Sequence, residues 1–95
     1  MEIEGKRVLV SGAGRGLGRA LVAMFAEAGA REVVAGTRKP EAREELAVLP
    51  NVTPVQLDVT NDADVAAVAQ IGAIDILINN AGFAGFGNPL GMSFA

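Results

Sequence analysis

The segment Gly12 to Gly18 alternates glycine with other residues, and its surroundings restrict what the chain can become. Before it stands Val8-Leu9-Val10, a short apolar run that reads as a strand buried on both faces. After it the period changes: Leu17, Leu21, Met24, Phe25 and Ala28 recur at helical spacing, and Gly29 is a suitable stop. A strand, a glycine turn and a helix in immediate succession predict a βα unit with a tight backbone at the junction.

The same alternation continues. Val33-Val34-Ala35 reads as a second buried strand. Pro40 suits a first helical turn, and Glu41 to Val48 predicts a short helix that Pro50 ends. Val55-Gln56-Leu57 predicts a third strand, with Pro54 tolerated at its start. Thr60 or Asn61 then caps a helix with Asp62 and Asp64 in its first turn and Val65, Val68 and Ala69 on its apolar face. Gly72 breaks that helix, and Ile74 to Ile78 is the fourth strand. The order β-α-β-α-β-α-β implies parallel strands joined by right-handed helical crossovers. An α/β fold follows: a doubly wound parallel sheet in strand order 3-2-1-4. The first two helices are expected on one face and the third on the other. Residues 1–82 form one unit in this reading, and the tail 83–95 is loop. The 95 residues suffice for one domain, and with four Phe, no Tyr and no Trp the core must be aliphatic.

A helix N-terminus with glycines in front of it suits an anion, because its N–H groups are unpaired and no Cβ blocks approach. The spacing decides between known cradles. A P-loop needs Gly-Lys-Ser/Thr, and Gly18-Arg19-Ala20 does not supply it. G-x-G-x-x-G fails in both registers, because Leu17 or Arg19 falls where the last glycine belongs. G-x-x-x-G-x-G fits, with Gly12, Gly16 and Gly18. Gly14-Arg15-Gly16-Leu17-Gly18 also resembles the first motif of S-adenosylmethionine methyltransferases, although Val10 and Ser11 stand where those enzymes usually carry an acid. A strand–helix turn with no ligand is the plain alternative.

Taken together, Ser11-Gly12-Ala13-Gly14-Arg15-Gly16-Leu17-Gly18, Asp58 closing the third strand, and Asn79-Asn80-Ala81-Gly82 after the fourth resemble the short-chain dehydrogenase/reductase family. That family carries T-G-x-x-x-G-x-G, a strand-ending aspartate and N-N-A-G in this order; Ser11 replaces the threonine and keeps the hydroxyl. The resemblance covers nearly the whole chain. It implies a Rossmann-type fold, incomplete here relative to the family, and a nicotinamide dinucleotide as cofactor. It also implies that Asp58 accepts a hydrogen bond from the adenine amino group beside the Val59 backbone. Asn80, Ala81 and Gly82 would line the cofactor ribose, and Asn79 would help tie the sheet. Asp58 as a cap of the next helix, and Asn79-Asn80 as a satisfied strand end, stay open.

The second strand ends Ala35-Gly36-Thr37-Arg38, without the carboxylate that NAD-binding proteins place on the ribose 2′-OH. Arg38 could instead clamp a 2′-phosphate, and Arg15 is a second basic residue where the family often puts one for NADP. NADP(H) is therefore expected over NAD(H). Thr37 and Leu17 join these arginines and the glycines as candidate cofactor contacts, and a solvated surface position is the alternative for each arginine.

The remaining features restrict function further. The family's Tyr-x-x-x-Lys pair and serine have no counterpart: there is no tyrosine, Lys6 and Lys39 lack the context, and Ser93 comes too early. The chain thus reads as a catalytically incomplete portion of an oxidoreductase acting on a carbonyl or alcohol. A stand-alone nucleotide-binding or interaction module is the second reading. With neither Cys nor His, a disulfide scaffold and a cysteine-based zinc site are excluded. A net charge of -3 gives no reason to expect nucleic acid. No apolar run approaches the ~20 residues that span a bilayer, and Glu2 and Glu4 stand where a signal peptide needs bases, so a cytoplasmic protein is expected. Family members are usually homo-oligomers. The fourth strand, as an edge, is expected to drive self-association here.

Overall fold

A computed structural model describes residues 3–80. Four strands, β1 (Arg7–Ser11), β2 (Glu32–Thr37), β3 (Val52–Gln56) and β4 (Ile76–Asn79), alternate with three helices, α1 (Gly16–Glu27), α2 (Pro40–Leu46) and α3 (Asp62–Ala69). The strands form one parallel sheet in the order β3-β2-β1-β4, as the alternation predicted. Val8 pairs with Val33 on one side and with Ile76 on the other, so three apolar strands lie in register.

Successive strand residues point to opposite faces. Val8, Val10, Val33 and Ala35 pack on one face with Val22 and Phe25 of α1 and Leu46 of α2, all buried. Leu9 and Val34 point the other way, onto Leu57 and Val68. The first two helices thus share one face and the third helix takes the other. The second face is the thinner: Leu77 is half exposed, whereas Ile76 and Ile78 pack on the first. No helix among the described residues is long and apolar enough to cross a membrane.

The apolar stripe of α1 shares Phe25 with the expected one and otherwise differs. Gly18, Val22 and Phe25 face the sheet, while Leu17 and Met24 are exposed and Leu21 is only partly covered. Two overlapping stripes exist at helical spacing, and the close approach of Gly18 to the β1 turn selects the one that contains it. In α3 only Val68 is buried; Val65 and Ala69 are exposed. Helix α2 stops at Leu46, so Val48 lies outside it and in solvent. Strand β4 begins at Ile76, because Asp75 turns the chain: its N–H donates to the Arg7 carbonyl and its carboxylate accepts from the Arg7 N–H.

Strand β3 corrects the reading of Pro54, which sits mid-strand opposite Ala35 rather than at the start. The physical reason is its position at the sheet edge. The Asn51 carbonyl accepts from Val33, and Leu57 donates to Thr37, so odd-numbered residues bond inward to β2. Pro54, on the even set, turns its missing N–H outward, where no ladder bond is lost.

Candidate functional site

In a parallel sheet all strands end on the same side, and ligands gather there, at the point where successive crossovers leave toward opposite faces. Here that point lies between β1 and β4. A cleft of about 400 Å³ opens beside it. The β1–α1 turn contributes Gly12, Gly14, Arg15 and Gly16, and the end of β2 contributes Thr37, Arg38 and Lys39. Leu57 to Thr60 follow β3, and Asn80 follows β4.

The turn's geometry requires its glycines. Gly12 and Gly16 have φ of 64° and 59°, in the left-handed region that side chains disfavour. Gly18 is needed for space: a Cβ there would run into the Gly12 carbonyl and lie 2.8 Å from Asn80 Nδ2. Arg15 occupies the position before α1 in an extended conformation, no side chain caps that helix end, and its first turn holds no acid. Helix α3 is built the opposite way. Asn61 Oδ1 accepts from the N–H groups of Ala63 and Asp64, and Asp62 and Asp64 stand in the first turn. One helix N-terminus is therefore closed by its own sequence and the other is left open to an incoming anion.

The ends of β1 and β4 are stitched together. Buried Ser11 donates through its hydroxyl to Asn79 Oδ1 at 3.1 Å and accepts from the Asn80 N–H at 3.0 Å. Asn80 Nδ2 donates to the Gly12 carbonyl at 3.3 Å, which fixes the first residue of the turn. A serine hydroxyl serves as well as a threonine here because both roles fall on the oxygen.

Asp58 does not cap α3; Asn61 does. Its Oδ1 accepts from the Thr60 hydroxyl at 2.6 Å and the Thr60 N–H at 2.9 Å. These two bonds, with the nearby charge of Arg38, hold the Asp58 carboxyl below the usual aspartate range. The carboxylate is therefore ionised at neutral pH on one side of the cleft. Across the lining, three cations (Arg15, Arg38 and Lys39) meet this single acid, although the chain as a whole is acidic. Among the described residues none of the three cations forms an ion pair; the pairs are Arg7–Glu32 and Arg19–Glu45.

Of the residues singled out in the sequence, Gly12, Gly14, Arg15, Gly16, Thr37, Arg38, Asp58, Val59 and Asn80 converge on the cleft. Ser11 and Gly18 lie behind its wall, and Leu17 points away into solvent, outside the lining. Ala81 and Gly82 fall outside the described residues. Lys39, Leu57 and Thr60 were not anticipated. For Lys39 the available signal was its place next to Arg38, directly after a strand that ends at the cleft.

A four-stranded 3-2-1-4 sheet with a glycine turn at its switch point defines a Rossmann-type nucleotide-binding fold. The sequence profile of the short chain dehydrogenases matches residues 6–93. The chain belongs to this family of oxidoreductases. It is 39% identical over 88 residues to the 3-oxoacyl-[acyl-carrier-protein] reductase FabG of Vibrio cholerae, covering 86% of this chain and 36% of that protein. A short chain dehydrogenase of Burkholderia cenocepacia, solved in complex with NADP, superposes with a TM-score of 0.78 at 48% identity over 86% of this chain and 34% of that one. A relative from Burkholderia phymatum, solved with NAD, gives a TM-score of 0.74 at 30% identity over 81% of this chain and 31% of that one. The chain spans between 21% and 38% of the length of the curated relatives it matches.

Proposed function

We propose that residues 1–82 form the NADP(H)-binding unit of a short-chain dehydrogenase/reductase that interconverts a carbonyl and an alcohol. The observation that carries this reading is the cleft itself: an uncapped helix end, a glycine-rich turn, three cations that form no ion pair among the described residues, and no carboxylate at the end of β2. These residues fit the cofactor. The turn from Gly12 to Gly18, with Arg15, would hold the diphosphate, and Thr37 and Arg38 the 2′-phosphate. Asp58 and Val59 would border the adenine, and Asn80, followed by Ala81 and Gly82, the ribose. The nicotinamide, when bound, supplies hydride transfer. This chain's own residues bind and orient; its sequence holds no tyrosine to serve as the family's proton donor.

Titration of the chain with NADPH and NADH tests the assignment. NADPH is expected to bind more tightly, and Arg38→Ala to narrow the gap. Equal or tighter NADH binding that is indifferent to Arg38→Ala would overturn it. A nucleotide-binding module without catalysis is the second reading, favoured by the missing tyrosine. Turnover of a ketone panel with NADPH separates the two: reduction would remove this second reading.

We also propose that copies of this chain associate through β4. Among the described residues β4 pairs with β1 alone, and Leu77 beside that edge is 49% exposed. Sedimentation should show a species larger than the monomer, and a stable monomer at all concentrations would refute the idea.

A further inference from the structure

Just outside the cleft lining, side chains from three different elements close a hydrogen-bonded circuit between the loops after β2 and β3. Arg43 of α2 donates through Nη1 to the Thr37 carbonyl at 3.2 Å and to Gln56 Oε1 at 2.5 Å. Gln56, the last residue of β3, donates through Nε2 to Asp64 Oδ2 at 3.3 Å. That same oxygen accepts from the Asp58 N–H at 2.9 Å. The Leu57 N–H donates to the Thr37 carbonyl at 3.1 Å, which returns the circuit to its start. Arg43, Gln56 and Asp64 do not line the cleft, but Thr37, Leu57 and Asp58, which they hold, all do.

The residue types suit this circuit. A glutamine accepts at one end of its amide and donates at the other, so it can stand between a guanidinium and a carboxylate. Reversed, the amide would turn its NH2 toward Arg43 and its oxygen toward Asp64, and lose both bonds. Asp64 is in the first turn of α3, three residues after the Asn61 cap, and an acid there ordinarily reaches back to the N–H of the cap residue. Here the Asn61 N–H donates instead to the Asp58 carbonyl, and Asp64 reaches past it to the Asp58 N–H. Both backbone groups of Asp58 are thus tied, and its side chain bonds to Thr60. We propose that Asp64 and Gln56, anchored by Arg43, are positioning residues for the base-binding side of the cleft. They fix the Asp58 peptide against the loop after β2, so that its carboxylate is aimed before the ligand arrives. Pre-organisation of this kind lowers the cost of ordering a site on binding. The role rests on the NADP(H) reading above and deepens it, by adding residues outside the cleft that set its discrimination of the adenine base.

The test titrates NADP+ and its hypoxanthine analogue, in which an oxo group replaces the adenine amino group, calorimetrically into the whole chain. The wild type should prefer NADP+. Gln56→Glu is the sharpest variant: it keeps an acceptor for Arg43 but turns a carboxylate instead of a donor toward Asp64. It should weaken NADP+ about fivefold, the effect of disturbing one hydrogen-bonded contact, and leave the analogue within about twofold. Thermal unfolding should place it with the wild type, because the Gln56 side chain is exposed. Asp64→Ala should lower NADP+ affinity in the same way, and Asp64→Asn, which keeps an acceptor oxygen, should recover most of the loss. An NADP+ preference that survives in both Gln56→Glu and Asp64→Ala overturns the proposal and leaves the NADP(H) reading standing. Equal weakening of both ligands also overturns it, since the circuit would then serve only the fold of the loop. A wild type that binds the two equally overturns it together with the placement of adenine beside Asp58. A wild type that binds neither overturns it together with the NADP(H) reading.

Discussion

The two ends of the sheet are built from similar side chains and reach opposite outcomes. At the end where the strands begin, Arg7 donates through Nε to Glu32 at 2.7 Å, and Thr53 donates to the other oxygen of Glu32 at 2.6 Å. The Arg7 backbone bonds with Asp75, and its guanidinium reaches the Ala73 carbonyl. Arg7 and Glu32 together therefore tie β1, β2 and β3 to one another and to the segment leading into β4, and the arginine's charge is answered by the glutamate. At the end where the strands finish, Arg15, Arg38 and Lys39 surround a cleft with one carboxylate between them. Charge that is paired holds a fold in place. Charge that is left unpaired in a concave site is available to something that arrives from outside.

The largest expected effect on this contrast comes from Gly18→Ala. Its methyl would collide with the Gly12 carbonyl, which cannot yield without moving the turn. Loss of cofactor binding by more than about tenfold is expected, together with destabilisation of about 1–3 kcal/mol, from titration and denaturant unfolding. Unchanged binding would show that the turn does not form the site. Arg38→Ala comes next, with about a tenfold loss for NADPH and little change for NADH. Its stability should match the wild type, because Arg38 is exposed and joins no ion pair among the described residues.

Asn61→Ala sharpens the comparison within the cleft end. It should cost about 1 kcal/mol by removing the cap of α3, seen as faster amide exchange in that helix. The smallest effect is expected at the opposite end. The Thr53 hydroxyl and Arg7 hold the Glu32 carboxyl below the usual glutamate range, against a smaller opposing push from burial. Its contribution is therefore complete above about pH 5 and is lost as pH falls through the lowered folded value. Glu32→Gln should lower stability by about 1 kcal/mol or less at pH 7 and flatten the acid limb of a stability–pH curve. Cofactor affinity should not move. A change there would mean that the two ends are coupled through the strands.

Much of this arrangement could be read from the chain because it is written locally. Strand order followed from the alternation of periods; the glycine turn and the Asn79-Asn80 pair stand directly at strand ends, and Asp58 stands two residues past one. Three features resisted for a shared reason: they depend on how separate segments meet. Lys39 and Thr60 belong to the cleft only because the loops after β2 and β3 converge. Of the stripe Leu17, Leu21, Met24, Phe25 and Ala28 only Phe25 is buried, because Gly18 and Val22 form an equally regular stripe with it, and the contact behind Gly18 decides between the two. Pro54 argued against a strand interior until the ladder showed its nitrogen facing outward.

That outward-facing nitrogen has a geometric consequence. Among the described residues the sheet has two rims, and one carries a residue that cannot donate to a new neighbour, while Ile76 to Asn79 on the other carry no proline. Growth by stacking the rim of one copy against the opposite rim of the next would repeat without end, as fibres do. Pro54 disfavours that mode. Two copies meeting at the β4 rim use the same surface twice and close on themselves, so any assembly through the sheet should stop at a symmetric pair.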